Sequence, residues 1–425
     1  MTHRSRVLTN SFRIRSSEVG VPYLRGREGN QCSLRTRATL LASFVLFGVY
    51  AFLIAATATG ETYKIPAEGF EVALQDRLAS AHPGDTIVLP AGNFSLSRSL
   101  TLAVSRVTVR GKGRKKTRLD FSNQKTGAQS WLVMGKEIEI SGLTIVDSPA
   151  DGLVARDSSG LRIRDVGVEW TQARAATSGG YGLYPVMSTN VTIENCYARG
   201  ASEAGIYVGQ TVEGVVRKNV VEGNVVGLDI ENSLRIKIED NVVRGNSIGV
   251  LVSARPGLFQ PRSVGNQLIG NEITDNNLSN FAAEGSYIAG LGEGRGIVVI
   301  ASGETSIAKN TMRGHQSSQM LFLNFASLGL EWESDLFFVA DLERTRLVDN
   351  EFLAEPRPAA IRSARWQEAR GFDLVWDGRF SLQRYGSASA PKPLCRMGPL
   401  SAVLLNVSDP ESAQGSGVAI PDCGT

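Results

Sequence analysis

Short runs that alternate apolar and polar residues recur along the chain at intervals of roughly 22 residues. Many begin with the pattern Gly–apolar–X–apolar, where X varies, as in Gly205-Ile206-Tyr207-Val208 and Gly227-Leu228-Asp229-Ile230. Alternation is typical of β-strands with one buried face, and a fixed period of this length is typical of stacked structural units. The pattern therefore predicts a solenoid, in which positions one period apart in sequence are neighbours in space.

Each predicted strand is short, bounded by Gly, Asn or Asp, and unable to bury its apolar face alone. Strands stacked in parallel about 4.8 Å apart would pool their Val, Ile and Leu side chains into one core. We therefore expect an all-β fold, a right-handed parallel β-helix. Ahead of the first strands, Phe70, Leu74 and Leu78 share one helical face, which predicts a short N-terminal helix that caps the open end of the solenoid.

The patterning divides the chain into four segments. These are a basic N-terminal tail (1–37), an uncharged segment that is a signal peptide or membrane anchor (38–60), the β-helix domain (61–385) and a flexible Ser/Gly/Pro-rich tail (386–425). The uncharged segment is long enough to span a bilayer, yet it ends in Ala56-Thr57-Ala58, which a signal peptidase could cut. We expect export to the periplasm or beyond, with this segment either removed or retained as an inner-membrane anchor.

Charge and cysteines narrow the class of protein. The first 37 residues hold eight Arg and two Glu, which leaves 37 basic and 40 acidic residues for the exported part. That balance lacks the basic footprint of a nucleic-acid-binding protein. Cys395 and Cys423 in the tail could form a disulfide in an oxidising compartment, or could remain free. Cys196 lies inside the repeat and is expected to be a buried thiol.

The X positions of the repeat point away from the core and should form a column on the surface. The column consists of Val154, Tyr184, Tyr207, Asp229, Leu251 and Val298. We predict that Tyr184, Tyr207 and Asp229 are catalytic residues on successive coils. The polar or aromatic residues predicted to bind substrate beside them are Glu169, Trp170, Glu203, Gln210, Glu231 and Asn232. Aromatic faces can pack on sugar rings while carboxylates and amides bind hydroxyls, so the pattern indicates a sugar-binding groove; the alternative is an ordinary solvated sheet.

On an acidic polysaccharide, such a groove would suit abstraction of the proton next to a uronate carboxylate, giving elimination or epimerisation. Tyr184 or Tyr207 would serve as base or acid. The arginines that could neutralise the substrate are Arg174, Arg199 and Arg217. No cofactor and no metal site are predicted, although Asp229 and Glu231, two residues apart on one strand, could hold Ca²⁺ through their oxygens.

Other conspicuous residues are assigned structural roles. A series of asparagines recurs with the period and should hydrogen-bond from coil to coil: Asn195, Asn219, Asn241, Asn271, Asn310 and Asn350. His82 lies in the cap turn and His315 far along the stack from the tyrosines. The basic run 110–118 is expected to be a solvated loop rather than a surface for an anionic glycan or membrane. Insertions after Asp165, Asn241 and Asn271 should leave the stack as loops.

Several segments carry a family resemblance. His82-Pro83-Gly84-Asp85-Thr86-Ile87-Val88-Leu89-Pro90-Ala91-Gly92 and Gly200-Ala201-Ser202-Glu203-Ala204-Gly205-Ile206-Tyr207-Val208-Gly209-Gln210 resemble exported bacterial parallel β-helix repeat proteins. More distantly the chain is similar to pectate lyases and periplasmic alginate C5-epimerases, although the Asp-Pro-His-Asp motif of those epimerases has no match. The resemblance implies the coil and a protein that binds or modifies a polysaccharide or cell-envelope glycan, as a uronate lyase or epimerase. The alternative is a non-catalytic carbohydrate-binding or envelope scaffold protein.

Overall fold

The chain winds into a coil whose strands form three parallel strips. The computed structural model describes residues 60–172, 178–353, 365–379, 393–400, 402, 404–408 and 420–424. One strip is an eleven-stranded sheet, and the other two merge into a 22-stranded sheet. The eleven-stranded sheet contains β4 (Leu100–Leu102), β7 (Gln129–Val133), β9 (Asp151–Arg156), β11 (Tyr181–Val186), β14 (Ala204–Gly209), β17 (Val226–Glu231), β20 (Ile248–Ser253), β24 (Arg295–Ile300), β28 (Ser318–Leu323), β31 (Phe372–Trp376) and β33 (Leu404–Asn406).

The 22-stranded sheet is the sum of two strips that share two long strands, β8 (Glu139–Val146) and β10 (Arg162–Glu169). Besides these, the first strip contains β1 (Thr62–Lys64), β2 (Thr86–Val88), β5 (Thr108–Arg110), β12 (Thr189–Glu194), β15 (Val212–Arg217), β18 (Leu234–Glu239), β21 (Ser263–Val264), β22 (Gln267–Ile269), β25 (Ser302–Gly303), β26 (Ser306–Ala308), β29 (Thr345–Val348) and β32 (Leu394–Met397). The second strip contains β3 (Gly92–Ser95), β6 (Thr117–Asp120), β13 (Tyr197–Arg199), β16 (Val220–Glu222), β19 (Val242–Arg244), β23 (Glu272–Thr274), β27 (Thr311–Arg313) and β30 (Glu351–Phe352).

The inward side chains of all three strips form one continuous core. Leu183, Ile206, Leu228 and Val250 stand in register on consecutive strands of the eleven-stranded sheet, and all are fully buried. The glycine that opens each repeat permits this close stacking, because a Cβ on Gly227 would lie 2.7 Å from the carbonyl oxygen of the glycine one coil further on. The predicted all-β, right-handed parallel β-helix is confirmed.

The N-terminal cap is also confirmed. Helix α1 (Phe70–Ala79) buries Phe70, Leu74 and Leu78, the three residues predicted from their spacing. The ring of Phe70 stacks on that of Phe94 in β3, with ring centres 3.8 Å apart. The helix therefore covers the apolar end that the first coil would otherwise expose to water.

A ladder of buried asparagine amides runs along one corner of the coil. The side-chain N–H of Asn219 donates to Oδ1 of Asn241 at 2.9 Å, and the same bond repeats through Asn271, Asn310 and Asn350. Asn195 does not belong to this ladder: it is exposed, with a φ of 55°. Cys196 occupies the corresponding place, where its backbone N–H donates to Oδ1 of Asn219 at 2.8 Å.

A second ladder, not predicted from the sequence, follows the next corner. Asn224 donates to Asn246 at 3.0 Å and Asn246 donates to Asn276 at 2.9 Å. His315 closes this ladder, because its Nε2 lies 3.1 Å from Nδ2 of Asn276. Both ladders satisfy backbone and amide groups that the tight corners remove from water.

The outer face of the eleven-stranded sheet is covered over most of its length. Apolar residues from four connecting segments (254–262, 275–294, 324–343 and 365–371) pack on it and form a second apolar cluster. Among them, Phe325, Phe338 and Trp366 are buried. The insertions after Asn241 and Asn271 therefore do leave the stack as loops, and they fold back over the sheet. Within the insertion after Asp165, residues 173–177 lie outside the described residues.

The C-terminal segment contributes to the coil. Within 386–425, for which the sequence predicted a flexible tail, β32 pairs with β29 and β33 pairs with β31. Cys395 and Cys423 form a disulfide, which confirms the paired alternative. Within the described residues, none of the helices has the length and apolar character needed to cross a membrane. Residues 38–59 of the uncharged segment lie outside them.

Candidate functional site

Three tyrosines meet on the outer face of the eleven-stranded sheet. Tyr181 and Tyr184 lie on β11 and Tyr207 on β14, and their ring centres are 4.6 to 4.8 Å apart in all three pairs. Tyr181 and Tyr184 are half-buried, whereas Tyr207 is buried. Gly209 leaves room for the Tyr207 ring, because a Cβ on Gly209 would lie 2.3 Å from it.

The column predicted from the repeat is present in the strand register. Val154 pairs with Tyr184, Tyr207 pairs with Asp229, and Asp229 pairs with Leu251. The two tyrosines and the aspartate therefore occupy successive coils, as the spacing predicted. From Tyr184 onward, exposure falls along the column, and Asp229 is only 1% exposed.

Two carboxyl groups lie at the buried end of this column. Glu231 accepts a 2.8 Å hydrogen bond from the hydroxyl of Tyr207 and forms an ion pair with Arg255 at 3.3 Å. Asp229, two residues earlier on β17, has an Oδ1 with no hydrogen-bond partner among the described residues. Burial and the nearby charge of Glu231 raise the pKa of Asp229 well above its usual range. Asp229 therefore holds its proton more tightly than an ordinary aspartate, next to the ion pair of Glu231 with Arg255.

Two further carboxyl groups lie at the open end. Asp151 of β9 accepts a 3.0 Å hydrogen bond from the backbone N–H of Tyr181, and Glu203 accepts one from the Tyr181 hydroxyl. Burial, reinforced by the charge of Glu203, raises the pKa of Asp151 to about 6. Asp151 can therefore gain or lose a proton near neutral pH. We call this set of seven residues (Asp151, Tyr181, Tyr184, Glu203, Tyr207, Asp229 and Glu231) the tyrosine–acid cluster.

The tyrosine hydroxyls of the cluster hold their protons tightly. Burial is the largest cause in each case, and the neighbouring carboxylates add to it, so the pKa values of Tyr181, Tyr184 and Tyr207 are all raised. These hydroxyls therefore stay protonated at neutral pH, which disfavours the base role among the two that the sequence left open for the tyrosines.

Loop residues that no repeat pattern marked complete the buried end. Arg255 lies 4.9 Å from the ring centre of Tyr287, above Glu231. Asn232 fixes this loop: its amide donates to the carbonyl oxygens of Arg255 and Gln260, at 2.9 and 2.7 Å, and its Oδ1 accepts the N–H of Arg255. Asn232 is fully buried and so holds a loop instead of facing a ligand. Gln210 also contacts this loop, accepting the N–H of Gln260 at 3.4 Å.

Two predicted substrate-binding residues lie elsewhere. Trp170 is buried in the main core, and its indole N–H donates to the carbonyl oxygen of Ser148 at 2.6 Å. Glu169 lies at the end of β10 in the 22-stranded sheet and pairs with Arg118. The prediction for these two residues is wrong because β10 continues through Glu169. The loop that follows β10 therefore starts from the 22-stranded sheet, whereas the tyrosines lie on the eleven-stranded sheet.

The predicted arginines do not join the cluster either. Arg199 and Arg217 lie on strands of the 22-stranded sheet, where Arg217 pairs with Glu194 at 2.7 Å. Arg174 falls outside the described residues. A different arginine, Arg156 at the end of β9, acts on the tyrosines, because its charge lowers the pKa of Tyr184 against the larger effect of burial. Over the part of the chain that is described, no group of three or more His, Cys, Asp or Glu side chains is placed to hold a metal ion.

Tyr181 is the main residue of the cluster that sequence reasoning missed. It lies three positions before Tyr184, one place ahead of the Gly that opens the repeat, so it fell outside the X column. Its partner in register on β14 is Ala204, and its backbone N–H donates to Asp151 of β9; the pattern marked neither residue. A second column was therefore present in the sequence, but only its members on β9 and β11, Asp151 and Tyr181, belong to the tyrosine–acid cluster.

Comparison with known proteins addresses the fold. A family model described as "Right handed beta helix region" matches residues 128–311. Among curated protein sequences, none matches. The A-module of the mannuronan C-5 epimerase AlgE6 of Azotobacter vinelandii is a similar solved structure, with a TM-score of 0.55 and 15% identity over 82% of this chain and 91% of that one. The AlgE4 A-module of the same organism gives a TM-score of 0.50 and 17% identity over 72% and 87%.

At these identities the likeness concerns the coil and not the chemistry. The matching family model, the similar solved structures and the parallel register agree with one another. The chain is a right-handed parallel β-helix protein.

Proposed function

We propose that this protein binds a polysaccharide or cell-envelope glycan at the tyrosine–acid cluster. The observation that carries the proposal is the mutual contact of three tyrosine rings beside four carboxyl groups, with Tyr181 and Tyr184 half-exposed. The faces of aromatic rings pack well on the C–H faces of sugar rings. Asp151 and Glu203 at the open end supply acceptors for sugar hydroxyls.

We further propose that the cluster modifies a uronate-containing polymer by proton transfer. Asp151, with a pKa of about 6, is largely a carboxylate at neutral pH and can accept a proton from the sugar carbon next to the uronate carboxylate. Tyr184, whose pKa is raised by burial, keeps its proton until an oxygen takes it. Arg156 supplies a positive charge near Tyr184 for the uronate carboxylate.

Removal of this proton can lead to either of two reactions, elimination or epimerisation. In elimination, Asp151 takes the proton, a carbon–carbon double bond forms, the bond from the ring to the next sugar breaks, and a tyrosine proton goes to the departing oxygen. In epimerisation, Asp151 removes the proton from one face of the carbon, and a tyrosine hydroxyl gives its proton to the opposite face and regains one from water. Two similar solved structures are named as mannuronan C-5 epimerases, which supports including epimerisation among the reactions to be tested.

The alternative is a binding protein without catalysis. The burial of Tyr207, Asp229 and Glu231 beneath the loop of Arg255 favours it, because these groups then stabilise the sheet face and only the half-exposed rings meet the glycan. Under this alternative the acids act as structural and hydrogen-bonding groups.

We also propose that the protein works in an oxidising compartment outside the cytoplasm. The uncharged segment 38–60 supports export, and the Cys395–Cys423 disulfide supports an oxidising environment. Cell fractionation with a chain-specific antibody tests this, and recovery in the cytoplasm with both thiols reduced would contradict it.

The experiment that tests the function combines binding and turnover. The purified protein is incubated with alginate, with pectate and with neutral polymers, and products are followed by ultraviolet absorbance of unsaturated sugars and by NMR for epimer ratios. Wild type should bind a polymer, Tyr184→Ala should weaken that binding, and Asp151→Asn should abolish turnover while leaving binding in place. Tyr197→Ala, a half-buried tyrosine on the 22-stranded sheet, is the matched control.

Binding without turnover, sensitive to Tyr184→Ala, would favour the non-catalytic alternative. Retention of full binding in Tyr184→Ala would overturn the proposed site altogether.

A further inference from the structure

A second exposed feature is formed by residues that do not belong to the tyrosine–acid cluster. Two of the loops that cover the eleven-stranded sheet line an open groove of about 690 Å³. The residues that line it are Pro256, Gly257, Leu258, Glu331, Trp332, Ser334, Asp335, Leu336 and Phe337. We call it the aromatic groove. Its volume lies within the range of about 300–1,000 Å³ that is usual for ligand sites.

One carboxylate holds the two walls of the groove together. Asp335 accepts the backbone N–H of Gly257 from the opposite loop at 2.8 Å, and it also accepts the N–H groups of Phe337 and Phe338 in its own loop. These backbone hydrogen bonds hold the pKa of Asp335 below its usual range. The walls are therefore fixed relative to each other before any ligand arrives, which lowers the entropy lost on binding.

The apolar side chains of the groove face solvent instead of the core. Leu336 is 90% exposed and Phe337 is 78% exposed. Trp332 is half-buried, and its ring packs edge-on against the buried Phe338, with centres 6.2 Å apart. Phe338 in turn packs edge-on against Phe325 at 5.1 Å. A fixed aromatic ring beside exposed apolar side chains is typical of a surface that binds a ligand or a partner.

The charged residues that line the groove limit which ligands can bind there. The charged residues that line the groove are Glu331 and Asp335, with Glu333 between them in sequence, and no Lys or Arg is among the lining residues. Uronate polymers and anionic lipid headgroups would be repelled, because nothing there neutralises them. An uncharged sugar chain has C–H faces for Trp332 and Phe337, and hydroxyls that can donate to Glu331.

We propose that the aromatic groove is an accessory carbohydrate-binding site for uncharged, hydroxyl-rich stretches of a polysaccharide. The groove and the tyrosine–acid cluster share one loop, because Arg255, which pairs with Glu231, directly precedes Pro256 and Gly257. This proposal depends on the proposed function in one respect only, namely that the ligand is a polysaccharide. It assigns a separate set of contacts, which hold neutral sugars while the cluster handles the acidic ones.

Affinity electrophoresis tests the groove. The purified protein is run in gels that contain galactomannan or hydroxyethyl cellulose, both uncharged, and in gels that contain alginate. The variants are Phe337→Ala and Leu336→Ala, at exposed positions where folding is not at risk, and circular dichroism verifies their fold. Phe259→Ala is the matched control, because Phe259 is 92% exposed on the same loop as Leu258 but does not line the groove.

We expect an uncharged polymer to retard wild type and Phe259→Ala equally, and Phe337→Ala to lose about tenfold in affinity, the equivalent of 1.4 kcal/mol. Retardation by neither uncharged polymer, or equal retardation of wild type and Phe337→Ala, would overturn the proposal. Binding to phosphatidylglycerol vesicles that Phe337→Ala abolishes, without any effect on polymers, would assign the groove to membranes and also overturn it.

The two sites can fail separately. If Tyr184→Ala loses polymer binding while Phe337→Ala keeps it, the tyrosine–acid cluster stands and the groove proposal falls. If Phe337→Ala loses binding of an uncharged polymer while Tyr184→Ala binds every polymer as wild type does, the groove stands and the proposed function of the cluster falls.

Discussion

The hydroxyl of Tyr207 donates a 2.8 Å hydrogen bond to Oε1 of Glu231, one coil further along the stack. Both side chains are buried, and the other carboxylate oxygen of Glu231 pairs with Arg255 at 3.3 Å. A strand residue, its neighbour on the next coil and a loop residue are thus joined in one network. This network ties the covering loop to the sheet at the edge of the tyrosine–acid cluster.

The first prediction concerns the stability of this network. Tyr207→Phe removes the donor and leaves a buried carboxylate oxygen without its partner, which should cost about 1–3 kcal/mol of unfolding free energy. Tyr197→Phe is the matched control, because the Tyr197 hydroxyl also donates at 2.8 Å, to Glu222, but both residues are half-buried. Urea denaturation should show a clearly smaller loss for the control, and equal losses would contradict the assigned role of burial.

The second prediction concerns the asparagine ladder. Asn241→Asp places a carboxylate in a buried position where the Asn241 amide donates to Asn271 and to the carbonyl oxygen of Val216. Because it loses two donated bonds and buries an unpaired charge, this variant should lose at least about 3 kcal/mol. The same change at the exposed Asn195 should alter stability by less than about 0.5 kcal/mol. Thermal unfolding of the pair measures the difference, and similar melting temperatures would contradict the ladder.

The third prediction concerns pH. Burial raises the folded-state pKa of Asp151 and of Asp377 to about 6, above the usual value of 3.8. The folded state therefore binds more protons at these two groups between these values, so their contribution to stability is fully present below about 3.8 and is lost as the pH rises through about 6. Asp151→Asn and Asp377→Asn should each flatten that fall in denaturation measured across this window.

Comparison of the Asp151→Asn and Asp377→Asn variants distinguishes an effect on stability from an effect on function. Asp377 accepts hydrogen bonds from the backbone N–H of Asn324 and the hydroxyl of Ser327, and it has no contact with the tyrosines in the structure. Only Asp151→Asn should change the pH profile of glycan binding or turnover. A change of the same size in both variants would remove Asp151 from the proposed chemistry.

The fourth prediction concerns the C-terminal disulfide. Cys395 and Cys423 close a loop with a sequence separation of 28. In the chain-entropy model such a loop contributes about 3–4 kcal/mol, so reduction should release β32 from β29. Hydrogen exchange of the Leu394–Met397 amides should accelerate on reduction, while the amides of β17 keep their protection. Unchanged exchange in both strands would show that the disulfide does not stabilise this edge of the coil.

Most of the fold was predictable from the sequence repeat. Because the side-chain direction alternates along a strand and coils stack one period apart, the Gly–apolar–X–apolar pattern was sufficient to place Tyr184, Tyr207 and Asp229 on one column. The second asparagine ladder could also have been predicted from the sequence. Its members are spaced at the same intervals as those of the first ladder: Asn224, Asn246 and Asn276 against Asn219, Asn241 and Asn271. The pattern failed at Cys196, where a small thiol takes an asparagine's place and Asn195 is shifted by one residue.

The environment of the site was not predictable in the same way. Whether an insertion walls a groove or folds over the sheet depends on contacts such as those of Phe325 and Trp366, which no period encodes. Arg255 and Tyr287 reach the acids from such insertions, so nothing in the repeat marked them. Trp170 was misplaced for a related reason, because an aromatic residue at the start of an insertion can close the core as readily as line a surface.

The most direct test of the account is a crystal structure of the protein with an oligosaccharide of the polymer that it binds best. The account predicts an ordered sugar ring within about 4 Å of the Tyr181 or Tyr184 ring, with a hydroxyl bonded to Asp151 or Glu203. An ordered sugar on the 22-stranded sheet, with the tyrosine–acid cluster left unchanged and unoccupied, would contradict it.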